Sequence, residues 1–365
     1  MNFEFFPSRT LMLYMARLFV TRIFAVLIML VLVLQMLDLL GESGDILAYP
    51  GNGDAQLWTY VLLRAPQLVA RFLPYSVLLA TIITLATLNQ NSEVISMKAA
   101  GLSAHQILAP LVLAATGIAV LSFAFNERIV TRASATLDAW QAVKYGPIPK
   151  SSSLRSNVYM RDGPNIMVAA TLSGEGPRMV MQGVTFYRRD ANGIITEQLR
   201  GARATWAAPG WRIAPAERFD VVGTRSETLG STVVARDMTP EQVAISSVAA
   251  DGESLFALTR SIAGLKAAAR RTSELDAAWW HKISGPLSAV LMPLLGAVAA
   301  FGLARSGQLL VRAVIGMALG FAFFVADNAA LAMGNFGGYP PLVAAWAPFL
   351  LFALIGEAVL IRTEE

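Results

Sequence analysis

The sequence contains no cysteine, only two histidines and few charges. Without cysteine there is no disulfide, no thiolate metal site and no cysteine nucleophile, so any water-exposed part must hold together by its own core. The phosphate loop GxxxxGK[ST], the zinc-binding HExxH helix and the GxSxG elbow are all missing. No catalytic residue, metal site or cofactor site is therefore assigned. Charged residues make up 15% of the 365, against about 25% in soluble domains, while 55% are hydrophobic. The net charge of +4 is spread without a basic stripe, which argues against a nucleic-acid partner.

The apolar excess is concentrated in residues 11–38, 59–88, 106–125, 283–303, 309–333 and 340–361. A span needs roughly 20 predominantly apolar residues to cross the hydrocarbon core, and each segment can supply them as a helix that satisfies its own backbone. Residues 23–37 are apolar like a signal core, but no small-x-small cleavage site follows, so they are read as an uncleaved first span. Pro66, Pro74, Pro286 and Pro293 are expected to kink their helices or to occupy first turns.

Basic residues set the orientation. The loops 39–58 and 334–341 carry no Lys or Arg, whereas Arg9, Arg17, Lys98, Arg305 and Arg312 lie on the opposite side. Both termini are expected in the cytoplasm, with the insert after the third span outside. Under this topology His105 and His281 fall on opposite sides, cannot share a metal or proton relay, and read as interfacial residues at span ends.

Between 127 and 280 the chain reads as a soluble domain. Residues 127–143 continue the third helix. From 156 to about 246 short alternating runs follow, such as VMQGVTFYRR, GIITEQLR and ARATWA, broken by Asp162-Gly163-Pro164, Asn192-Gly193 and Pro209-Gly210. Asp190-Ala191-Asn192-Gly193 is a hairpin signal. The pattern predicts a sandwich or jelly-roll-like sheet. A polar amphipathic helix over 252–276 leads to Trp279, Trp280, His281 and Lys282, an interfacial anchor for the fourth span. The expected domains are 1–126 with three spans, 127–280 as the β-rich insert, and 281–365 with three more.

Two features carry candidate function. The stretch SEVISMKAAG predicts a short helix near 91–104, with Ser92 as N-cap, Gly101 as stop, and Val94, Met97 and Leu102 as an apolar ridge on an exposed surface, flanked by Glu93 and Lys98. Such a helix suits a partner's groove or a bed of lipid headgroups. The other feature is intramembrane polarity. Arg64 and Arg71, seven residues apart, share one helical face, and Asp327-Asn328 interrupt the fifth span. Charges at such depth face a polar cavity or a partner, or snorkel to the headgroups. A guanidinium suits phosphate.

These residues resemble a known family. Three spans, an extracytoplasmic β insert and three more spans are the layout of the lipopolysaccharide export permeases (LptF/LptG, YjgP/YjgQ). SEVISMKAAG at 92–101 is similar to that family's coupling segment. VYMRDGPNIMVA and GVTFYRRDANGIITEQLRGARATW at 158–206, then GWRI at 210–213, resemble the insert of the G-type members. FFVADNAALAMGNFGGYPPLVAAWAP at 323–348 is similar to their last two spans. The resemblance implies an α-helical membrane protein with an inserted periplasmic β-jelly-roll-like domain, in the inner membrane of a Gram-negative bacterium. It implies lipopolysaccharide as substrate, with an LptF-type paralogue, an LptB-type ABC ATPase dimer and a single-span periplasmic LptC-type protein as partners. Ser92, Glu93, Met97, Ala99 and Gly101 would fall in the ATPase-docking helix. The basic residues that G-type members carry near the outer end of the first helix are Gln35, Gly41 and Glu42 here. Arg64, Arg71, Arg128 and Arg132 are the expected replacements.

A membrane-anchored interaction protein and the F-type paralogue stay open as alternatives. An intramembrane hydrolase would need a converging nucleophile and base, which Asp327 alone does not supply.

Overall fold

The computed structural model describes residues 8–148, 155–174, 176–190, 192–221, 223–236, 238–240, 243, 252–267, 272–301 and 309–362. Arg305, one of the basic residues used for orientation, lies outside them. The chain divides into two compact units. One comprises Met1–Asp38, Ala65–Val130 and Arg271–Glu365; the other comprises Leu39–Arg64 and Thr131–Arg270.

The helices are α1 (Arg9–Ala48), α2 (Asp54–Gln90), α3 (Glu93–Ala99), α4 (Ala104–Phe125), α5 (Thr131–Ala142), α6 (Leu255–Ala267), α7 (Ser273–Phe301), α8 (Leu309–Asn335) and α9 (Pro341–Arg362). A π turn over Asn126–Val130 joins α4 to α5 without a break. Among the described residues, five helices are long and apolar enough to cross a membrane: α1, α2, α4 with its extension, α8 and α9. The 29-residue α7 is a further long helix with a polar beginning. Pro66 and Pro74 sit inside α2, and Pro286 and Pro293 inside α7.

The core of the first unit draws on every long helix in it. Phe19 and Ile23 of α1 share one buried cluster with Val77, Leu78 and Leu85 of α2, Leu111 of α4, Met292 and Leu295 of α7, Phe323 of α8 and Phe352 of α9. Lipid tails are as apolar as leucine, so packing rather than water exclusion holds such helices together, and small residues let them approach. Gly320 of α8 does this against α2: a Cβ there would lie 2.2 Å from Leu78 Cδ2.

The second unit carries an antiparallel sheet of β1 (Arg155–Asp162), β2 (Asn165–Ser173), β3 (Val180–Arg189), β4 (Ile195–Ala207), β5 (Gly210–Ile213), β6 (Ala216–Asp220), β7 (Arg225–Leu229) and β8 (Thr232–Val234). The strand order is β1-β2-β3-β4-β5-β8, with β6 paired to β4 and β7 to β6. GIITEQLR and ARATWA, which read as separate runs in the sequence, form the single strand β4. Gly201 between them stays in the ladder, opposite Val184 on one side and Ala216 on the other. The first part of β4 pairs with β6 and its last part with β5. On β3 the inward face changes phase at Gly183, whose φ is +58°: Met181 is buried before it, Val184 and Phe186 after it. The Asp190–Gly193 signal is the β3–β4 turn, where Asp190 Oδ1 accepts from the backbone N–H of Asn192 and of Ile194.

Met167, Met181, Val184, Phe186, Leu199, Trp211 and Ile213 fill the sheet's core. Trp211 donates its indole N–H to the Met238 carbonyl at 2.9 Å. Glu197 of β4 is buried and clamped by Arg188 of β3 at 2.7 Å and Arg218 of β6 at 2.6 Å.

The stretch 39–58 reads as a loop in the sequence, yet α1 runs on to Ala48 and α2 begins at Asp54. Tertiary packing overrides the glycines here. Ile46 and Tyr60 join Leu137, Trp140 and Tyr145 in a separate cluster. Asn52 donates to the carbonyls of Ile46 and Tyr145 at 2.8 and 2.9 Å, and the Tyr145 hydroxyl donates to the Glu42 carboxylate. Burial, and then that carboxylate, push the Tyr145 phenol above its ordinary pKa.

Candidate functional site

Two arrangements of chemistry-bearing residues lie within the helical unit. The first is built around α3. Seven residues are too few to hold a helix in water without help. What fixes α3 is its apolar face, because Val94 and Met97 are buried in the core of the helical unit. This corrects the expectation of an exposed apolar ridge: the residues at helical spacing point inward, and Ile95, 62% exposed, points out. Ser92 is a second correction. It occupies the N-cap position with a left-handed φ of 61°, and its side chain caps nothing. The helix stops at Gly101, whose φ of +87° an L side chain rarely adopts. Ser103 and Gln106 then form a reciprocal capping box that starts α4.

Glu93, half-buried, is held from two sides. The Tyr14 hydroxyl of α1 donates to Oε1 and Oε2 at 3.3 and 3.1 Å, and Asn91 Nδ2 donates to Oε1 at 3.2 Å. At the second residue of α4, His105 Nε2 meets Glu357 Oε1 of α9 at 2.8 Å. The bonds to Tyr14 and from His105 to Glu357 span 79 and 252 residues of sequence, so no local pattern announces them.

The second arrangement surrounds Asp327. His281 Nε2 of α7 lies 3.0 Å from Asp327 Oδ2 of α8. Tyr75 of α2 stacks on Phe324 of α8 with centroids 3.8 Å apart, within electrostatic reach of both Asp327 and Arg71, one turn earlier on α2. A polar pair thus joins α7 to α8 inside an apolar bundle, and α2 packs beside it through Tyr75. Asn328 takes no part in it; its amide donates to the Phe324 carbonyl of its own helix at 2.7 Å. Both histidines, which read from the sequence as interfacial residues at span ends, are paired with carboxylates. A His at a span end and a lone intramembrane Asp are the residue types that could have suggested the second pair, but 46 residues separate them.

Of the four arginines singled out in the sequence, Arg71 lies one turn before Tyr75 on α2. Arg71, Arg128 in the π turn and Arg132 at the start of α5 are exposed. Arg64 and Arg132 belong to the second unit, Arg71 and Arg128 to the first.

The family model for Lipopolysaccharide export system permease LptF/LptG matches residues 13–362, and so covers both units. The chain belongs to this family. It is 26% identical over 309 residues to the lipopolysaccharide export system permease protein LptG of Escherichia coli strain K12, covering 83% of this chain and 84% of that protein. To LptG of Haemophilus influenzae strain Rd it is 23% identical over 314 residues, covering 84% and 86%. The chain is therefore a multi-pass membrane permease subunit of the LptF/LptG family, with a β domain inserted among its membrane helices.

Proposed function

We propose that this chain is the permease subunit of an ABC transporter that extracts lipopolysaccharide from the inner membrane of a Gram-negative bacterium and passes it to a periplasmic β-jelly-roll bridge towards the outer membrane. The observation that carries the reading is the family match across residues 13–362. It includes the helices that would hold the lipid and the sheet that would receive its acyl chains.

In this reading residues 1–126 and 281–365 form the membrane part and 127–280 the periplasmic part, with both termini in the cytoplasm. An LptF-type paralogue completes the membrane pathway. A single-span LptC-type protein takes the lipid onward. ATP is hydrolysed by an LptB-type dimer, consistent with the absence of a phosphate loop from this sequence. That dimer docks on α3: Ser92, Glu93, Ala99 and Gly101 lie on or beside its outer surface, while Met97 seats the helix in the bundle.

The substrate is an amphiphile with anionic phosphates and several acyl chains, and each part needs its own chemistry. Acyl chains need apolar helix faces. Phosphates need cations at headgroup depth, where a guanidinium can bind two oxygens at once. Arg64, Arg71, Arg128 and Arg132 supply those cations in place of the family's basic residues, which are Gln35, Gly41 and Glu42 in this chain. An inert membrane anchor would need neither the His281–Asp327 pair nor a locked α3, which disfavours a scaffold role.

The assembly containing this chain and its ATPase, reconstituted in lipid, tests the reading. Arg64→Ala with Arg71→Ala is expected to lower lipopolysaccharide-stimulated ATPase activity and photocrosslinking to the lipid, and Glu93→Lys to abolish co-purification of the ATPase. Unchanged values in the double mutant would remove the arginines from the lipid site. A reporter placed within 156–246 that proved cytosolic would overturn the whole reading.

A further inference from the structure

We infer that Tyr14 is a positioning residue that ties α1 to the coupling helix α3, so that a displacement imposed on α3 is delivered to α1. The inference rests on the proposed docking of an ATPase at α3, and it names the route by which force leaves that helix.

The chain itself connects α3 to two elements. Residues 91–92 lead back into α2, and Gly101–Ser103 lead forward into α4. Nothing covalent joins α3 to α1, 79 residues away along the chain from Tyr14 to Glu93. The hydroxyl of Tyr14 bridges that gap by donating to both oxygens of one carboxylate. The carboxylate is further fixed by Asn91 from the α2 end. It cannot swing freely: Glu93 opens a helix whose next residue, Val94, is buried, as is Met97 one turn on. A shift of α3 therefore carries the Glu93 carboxylate with it, and the carboxylate carries Tyr14.

A second tie defines what α1 does in response. Arg22 Nη1 donates to the Ile83 carbonyl of α2 at 3.0 Å, a link between α1 and α2 that does not involve α3. Tyr14 and Arg22 are eight residues apart, about 12 Å along the helix at 1.5 Å per residue. With one end of that segment held to α2 and the other to α3, relative motion of α2 and α3 becomes a tilt of α1. Met15, Phe19 and Ile23 on the same stretch are fully buried in the bundle, so the tilt is transmitted to packed neighbours rather than lost as side-chain motion.

The test is Tyr14→Phe, which removes one oxygen and keeps the ring, in the complete ATPase-bound complex in proteoliposomes. ATP hydrolysis and lipopolysaccharide release to an acceptor are measured together. The ATPase is expected to co-purify in normal amount, and lipid released per ATP is expected to fall roughly three- to tenfold, the range for losing one partly exposed hydrogen bond to a carboxylate. Adding Glu93→Gln to Tyr14→Phe should lower that ratio less than Glu93→Gln lowers it alone, because the bond is already gone. Additive effects, or an unchanged ratio in Tyr14→Phe, would overturn the inference. So would a Tyr14→Phe chain that fails to fold, because Tyr14 would then serve the fold rather than the coupling. If the unsubstituted complex releases no lipid with ATP, it is the proposed transport function that fails instead.

Discussion

Replacing Asp327 by Leu removes the acceptor that His281 of α7 meets, and replacing His281 by Leu removes the imidazole that the Asp327 carboxylate meets. The His281 side chain is 31% exposed and that of Asp327 16%, with 3.0 Å between Nε2 and Oδ2. That exposure sets the size of the effect. A surface pair is worth about 0–1 kcal/mol, and breaking a fully buried one costs about 3–5 kcal/mol. Interhelical hydrogen bonds in membranes average about 0.6 kcal/mol and reach about 1.7. A partly buried pair with a carboxylate partner belongs near the top of the membrane range, about 1–2 kcal/mol of coupling, a factor of roughly 5–30 in the folded-to-unfolded ratio. His281→Leu is expected to be the more damaging single change, because a carboxylate stranded among apolar side chains costs more than an imidazole that can stay neutral. The double mutant should recover most of the loss, since two leucines need no partner. Denaturant unfolding of the purified protein in mixed micelles, followed by tryptophan fluorescence, gives all four corners of the cycle. Penalties that add to within about 0.5 kcal/mol would show that the two side chains do not interact, and would refute the claim that this pair joins α7 to α8.

Further expectations follow from the packing and from Tyr145. Gly320→Leu places a side chain where even a Cβ would lie 2.2 Å from Leu78 Cδ2, so Leu78 must repack or the helices move apart; the expected cost is about 1–3 kcal/mol, seen as lower detergent-solubilised yield, whereas Gly117→Leu, with open space around it, should be neutral. In the β-bearing unit, the folded state holds the Tyr145 phenolic proton more tightly than the unfolded chain does, where the phenol keeps its ordinary pKa of 10.0. Stability is therefore full below pH 10 and declines as the pH rises beyond it. Protease resistance measured on either side of pH 10 should show that decline, and Tyr145→Phe should flatten it. Trp211→Ala removes a fully buried ring and its bond to Met238 and should cost about 3–5 kcal/mol, read as loss of near-ultraviolet circular dichroism.

The membrane helices were legible in the sequence for a strong reason. Lipid leaves a backbone no partner but itself, so a span must be an uninterrupted apolar run, and such runs stand out without context. The Asp190–Gly193 turn was legible because its residues make their own bonds within five positions. What could not be read was everything that depends on an alignment of distant segments. The carboxylate partners of His105 and His281 are 252 and 46 residues away. Val94 and Met97 have the spacing of a helix face, but spacing alone does not say whether that face meets water or protein. Ser92 stands where a cap is expected, yet the tight reversal out of α2 puts it at φ 61° and aims its hydroxyl elsewhere. The continuation of α1 through Gly41 and Gly44 to Ala48 runs against propensity and is maintained by contacts such as Ile46 with Trp140.

The carboxylate of Glu197, gripped by Arg188 and Arg218, acts as a registration key for the sheet. Arg188 sits directly opposite it on β3, and Arg218 reaches it diagonally from β6, where it pairs with Leu199. Sliding β4 by one residue against either neighbour would turn that acid to the other face and strand two guanidinium groups. A misaligned sheet would thus lose both ion pairs to a carboxylate that is only 10% exposed, which disfavours the slipped register.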